Sequence, residues 1–148
     1  MIERFVQTRD FRRRADLCCF AGASLPSMGR PTCQGQVVLE ARHIFDFQVG
    51  GREYSSGGPP EGPIFTFDAS YQELVPEQRI VYTYTLDSDG IRISVSITTV
   101  ELIKVEGGTK LIFTEQGSFF DGHDTPEVRE HGTSVMLDSL GKVLVGEV

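Results

Sequence analysis

Glu115 is the residue of this chain best placed to do chemistry. It falls in the run KLIFTEQ in phase with Leu111 and Phe113, so its carboxyl shares the apolar face of a strand. A carboxyl facing apolar surroundings has its pKa raised and can serve as a general acid or base. The same position also suits a strand-end carboxylate paired with an arginine or open to water. His43, His123 and His131, with Asp121 and Asp124, offer metal-ligating atoms, but no HExxH and no close histidine pair occurs, so solvated loop and helix faces are the plainer reading. No Ser-His-Asp or Cys-His set can be assembled. Cys18, Cys19 and Cys33 are odd in number and lack a CxxC spacing, which supports neither a disulfide framework nor a zinc site. No metal and no cofactor is implied.

A second group of residues suits binding better than catalysis. Phe45 with Phe47, Phe65 with Phe67, and Tyr82 with Tyr84 recur at alternate positions, the spacing that puts each pair on one strand face. With Ile93, Val95 and Phe113 from later strands and Met136 and Leu140 from a helix, they are candidates to line a ligand pocket, the rings giving apolar area and the hydroxyls orientation. Each taken singly is equally a core residue. Gly50-Gly51-Arg52 lacks the strand-to-helix setting of a phosphate loop and reads as a hairpin turn.

The elements that must position these groups centre on residues 91 to 122. Ile91, Ile93, Val95 and Ile97 alternate with Arg92, Ser94, Ser96 and Thr98, which predicts a half-buried strand with the aliphatic set inward. Val100, Leu102 and Ile103 break that phase and suggest a bulge. Glu106-Gly107-Gly108 turns the chain into a return strand over Lys110 to Gln116. Upstream, strands are predicted over 43–48, 64–75 and 79–86, giving five in meander order. Ser55 to Pro60 with Gly62-Pro63 reads as a loop, and Asp87 to Gly90 as a hairpin turn. Asp124 or Thr125 can cap a final helix, Pro126 fits its first turn and Glu127 suits its positive end. Val128, Val135, Met136, Leu140, Val143 and Leu144 form its predicted apolar stripe. An α+β domain follows, with a curved antiparallel sheet wrapped around a long C-terminal helix.

Composition bounds the function. The 148 residues are 39% hydrophobic and 24% charged, enough for one globular core, and carry a formal charge of −7. That balance disfavours nucleic acid, whose phosphates are met by lysine and arginine. No apolar run reaches the roughly 20 residues of a membrane span, and a cytoplasmic protein is the expectation. Residues 1–38 differ from the rest: six of the fourteen basic residues and all three cysteines lie there, and no helix or strand period is evident.

The strings YQELVPEQRIVYTY, GGTKLIFTEQGSFFDGHD and REHGTSVMLDSLGKVL, with FDFQVGGRE, resemble the SRPBCC, START-like helix-grip superfamily, in its branch of heat-shock-chaperone ATPase activator homologues and polyketide-cyclase-like proteins. The resemblance covers Leu39 to about Val145. It implies a sheet gripping the last helix over a deep, mostly apolar cavity. The first strand and two short helices usual in that superfamily have no counterpart in the pattern of residues 1–38. Read one nucleotide on with suitable synonymous codons, Asp10 to Val38 can spell VFRAWADPRAKARWF, the superfamily's missing motif, and the tryptophan over Met28-Gly29 is forced. Paired compensating frameshifts are the reading, so the domain is taken as 39–148 behind an atypical 1–38.

The expected function is binding of a small hydrophobic molecule between sheet and helix. The alternatives are a cyclase- or hydrolase-like enzyme using Glu115, or, as the resemblance implies, stimulation of a heat-shock ATPase. A missing first strand would also leave a sheet edge open and favour a homodimer.

Overall fold

The computed structural model describes residues 2–11 and 39–145, and the side chains of residues 39–43 and 143 lie outside that description. Nearly all of the frame-shifted reading, residues 12–38, therefore lies outside the described residues.

Among the described residues seven strands form one antiparallel sheet: β1 (Glu3–Phe11), β2 (Leu39–Phe45), β3 (Arg52–Gly58), β4 (Phe65–Val75), β5 (Arg79–Ser88), β6 (Ile91–Val105) and β7 (Gly108–Phe119). Their order is β1-β7-β6-β5-β4-β3-β2, so six strands meander while β1 sits at the far edge beside β7. The sheet curves over one helix, α1 (Pro126–Val145), without closing, and the helix-grip expectation holds.

The first strand is a correction. Glu3 to Phe11 pairs with β7 along its whole length, from Glu3 opposite Gly117 to Phe11 opposite Thr109. Its period was disguised because Gln7 takes an inward position between Phe5 and Phe11. Gln7 is held there by donating to the Glu130 carbonyl on α1 at 2.6 Å. Arg9 ties the same strand to α1 through Asp138 at 2.8 Å and Ser134 at 2.6 Å. With β1 in place β7 is no open edge, and the edge argument for a homodimer falls away.

β3 is a second correction, since Ser55 to Gly58 is strand and not loop. Small residues make a poor strand alone, but neighbours on both sides supply their backbone partners, and propensity yields to that context.

The long strand β6 reverses the expected facing. Ser94, Ser96 and Thr98 are buried, whereas Val95 and Ile97 are about 40% exposed. The phase breaks near Ile93, not at Val100: Leu86 pairs with Ser94 and Asp87 with Arg92, which leaves Ile93 as an extra residue. Ile93 and Ser94 are consequently both buried. The inward Ser94 has a physical cause described below.

On α1 the buried side is Leu137 and Leu140, with Met136 and Leu144 packed beside them, while Val128 is 64% exposed. Thr125 caps the helix by accepting the Val128 amide at 3.3 Å, Glu127 sits in the first turn and Lys142 in the last. The core joins these leucines to Phe5, Phe11, Tyr71, Ile80, Tyr82, Tyr84, Val100, Leu111 and Phe113.

Candidate functional site

Between the concave face of the sheet and α1 lies a cavity of about 490 Å³. Phe65, Phe67, Tyr82, Tyr84, Ile93, Phe113 and Met136 line it, and Glu115 stands in its wall. The other expected lining residues are elsewhere. Val95 points to solvent on the convex face, and Leu140 is in the core below the cavity. Phe45 and Phe47 stack on each other at 5.8 Å, with Phe47 edge-on to Tyr71 at 5.1 Å, beyond the cavity lining. Phe67 lies 4.8 Å from Tyr84, and Tyr82 is 5.9 Å from Tyr84, so three rings from β4 and β5 make a continuous aromatic wall.

Glu115 is 1% exposed, and it is not a lone carboxylate. Its Oε1 accepts the Tyr84 hydroxyl at 2.6 Å and Arg129 Nη1 at 3.0 Å. Arg129, on the first turns of α1, also donates to the Tyr84 oxygen, to Ser94 Oγ at 2.7 Å through Nη2, and to Asp124 Oδ2. Its guanidinium lies between the Tyr84 and Phe119 rings, 5.5 and 5.3 Å from their centroids. The inward Ser94 follows from this: with a valine there, Nη2 of the buried guanidinium would lose an acceptor.

Burial, with the Glu115 carboxylate next, drives the Tyr84 phenol well above its ordinary pKa, and Tyr82 moves the same way for the same first cause. Both therefore keep their protons and serve as donors. Burial pulls the Arg129 guanidinium down, but Tyr84, Glu115 and Asp124 outweigh it and its pKa rises. The cluster is thus a buried ion pair with one extra carboxylate.

Arg129 was missed in the sequence, although a signal existed. Stepping back from Leu144 and Leu140 at helical spacing leads through Leu137 and Thr133 to Arg129, so an arginine occupies the inward stripe. His123 and Asp124 do reach the cavity wall, whereas Asp121 and His131 are exposed. Among the described residues no group of His, Cys, Asp or Glu side chains converges as a metal ion would need, and no helix is long and apolar enough to cross a membrane.

Residues 40–145 match the family described as Activator of Hsp90 ATPase homolog 1-like protein. The chain belongs to this family. Its AHSA1-like fold is shared by a Rhizobium loti protein of known crystal structure, 38% identical, with a TM-score of 0.79 over 95% of this chain and 96% of that one. An uncharacterised protein of Rhizobium leguminosarum is 30% identical, with a TM-score of 0.77 over 95% and 93% of the two chains. The AHSA1 protein of Silicibacter pomeroyi, 20% identical, has a TM-score of 0.65 over 99% and 100%, a likeness of fold. The chain has no match among curated proteins.

Proposed function

We propose that this AHSA1-like protein is a binding module for a small, mainly apolar molecule held between sheet and helix. The observation that carries this is the joint presence of a 490 Å³ aromatic-walled cavity and a polar cluster whose groups are already bonded to one another. Such a cluster orients a ligand at low cost, because Tyr84 and Arg129 are pinned before anything arrives. Glu115 Oε1 is already bonded to Tyr84 and Arg129, which ties that oxygen to its neighbours before an occupant arrives. The cavity volume falls in the usual range for small-molecule sites, roughly 300–1,000 Å³.

The test is fluorescence titration with N-phenyl-1-naphthylamine, an uncharged aromatic probe. Saturable one-to-one binding that weakens at least about tenfold in Phe67→Ser supports the reading. Binding that is absent, or unaffected by that change, removes it.

A further inference from the structure

The concave face carries a second buried acid that the cluster above does not use. Glu53 on β3 is 3% exposed; its Oε2 accepts the Tyr71 hydroxyl, and its Oε1 is buried without a hydrogen-bond partner. The pair repeats the Tyr84–Glu115 arrangement with one difference. Glu115 has Arg129 at 3.0 Å, whereas among the described residues Glu53 forms no ion pair. A buried acceptor left without a donor is unfavourable, and a donor arriving with an occupant would relieve it.

Two features fix where Glu53 stands relative to the cavity. The Tyr71 ring is 6.1 Å from Tyr82, itself a cavity wall, so the carboxyl stands one ring beyond the lined space, at the opposite end of a row of phenols from Glu115. The turn before β3 is fastened to the same tyrosine: the Gly50 amide donates to the Tyr71 carbonyl at 2.8 Å, and the Tyr71 amide to the Gly51 carbonyl at 3.1 Å. Glu53 and Tyr71 are therefore set by one backbone unit.

We propose that Glu53 and Tyr71 form a second polar subsite of the cavity, which takes an ammonium or hydroxyl donor from an occupant whose apolar body lies along Tyr82. This rests on the ligand-binding reading above. The groups facing Glu53 among the described residues are Tyr71 on β4 and Tyr82 on β5, and its ladder partners Phe45 and Ala69 carry no charge. Burial pushes the carboxyl up to about 7, against the downward pull of the Tyr71 hydrogen bond. An anionic occupant is disfavoured, because Glu115 and Asp124 already share the Arg129 guanidinium and Glu53 adds a further acid without a cation beside it among the described residues.

Displacement of N-phenyl-1-naphthylamine from the full chain by 1-decylamine, 1-decanol and decanoate tests this. At about pH 8, decylamine displaces the probe at concentrations at least about tenfold lower than decanoate. Glu53→Gln loses most of that advantage while decanol stays within about twofold. In the unaltered chain the amine weakens about tenfold from pH 8 to pH 6, as Glu53 takes up its proton. In Glu53→Gln it does not. Carbonyl carbon NMR of the unaltered protein gives a readout independent of the variant: decylamine lowers the Glu53 titration midpoint. Probe binding with an unchanged amine preference in Glu53→Gln, or an unmoved midpoint, overturns the subsite alone. Failure of the probe to bind overturns the ligand reading and the subsite together.

Discussion

Arg129 and Glu115, one on the helix and one on the sheet, meet at 3.0 Å in the wall of the cavity, both nearly out of solvent. The pair joins the two layers of the fold at the place where a ligand would sit. Removing one partner leaves the other buried without its counter-charge. Arg129→Met is expected to cost about 3–5 kcal/mol in urea unfolding, because it strands Glu115 and Asp124 together. The double change Arg129→Met with Glu115→Gln should cost less than the sum of the two single changes.

Glu53 makes stability fall as pH rises. Its folded pKa is raised to about 7 from an ordinary 4.5. Below about pH 4.5 the acid is neutral folded or unfolded, and its contribution is fully present. Between those values the unfolded chain sheds the proton more readily, so the contribution is lost as pH climbs through 7, by on the order of 3 kcal/mol. Thermal unfolding of Glu53→Gln should show this component missing: relative to the unaltered chain, the variant gains melting temperature at pH 8 and not at pH 4.5.

Opposite faces of the sheet should answer differently to truncation. Val95→Ser on the convex face is expected to change stability by no more than about 0.5 kcal/mol. Phe113→Ala, which empties a buried position stacked near Phe5, should cost about 3–5 kcal/mol. Similar losses for both in denaturant melts would contradict the assigned facing of the strands.

Gly51 has no room for a side chain, since a Cβ there would run into the Asp46 carbonyl oxygen. Gly51→Ala should destabilise by more than about 1 kcal/mol and loosen Tyr71, whose amide bonds the Gly51 carbonyl. Hydrogen exchange at the Tyr71 amide is the measurement, and protection equal to that of the unaltered chain would count against the coupling.

The reading of residues 10–38 as frame-shifted is tested by sequencing the gene through those codons. The expected outcome is a TGG over Met28-Gly29 within a shifted frame spelling the helix-forming motif. A gene whose shifted frame does not spell it would make the basic, cysteine-bearing segment a departure of this protein from its relatives.

Strand β5 was legible because Ile80, Tyr82, Tyr84 and Leu86 put large residues on one face and little that is apolar on the other. Strand β6 was misread for the converse reason. Alternation identifies two faces but not which is inward, and here the buried polar set includes Ser94, which meets Arg129. Glu115 was found from its phase with Phe113, yet its partner 14 residues away on another element left no local trace. Glu53 was invisible in a stretch that reads as turn and loop. β1 was hidden by Gln7, whose inward position makes sense only once α1 offers a carbonyl to it.

The extra residue at Ile93 has a consequence for how such a site can diverge. The ladder is in register on both sides of it, Leu86 with Ser94 and Asp87 with Arg92. Losing that one codon would close the irregularity without re-pairing either flank, and would delete a whole side chain from the cavity wall. Relatives of this protein can therefore resize the chamber by a change in chain length at a single point, leaving the anchoring Ser94 and its guanidinium partner where they are.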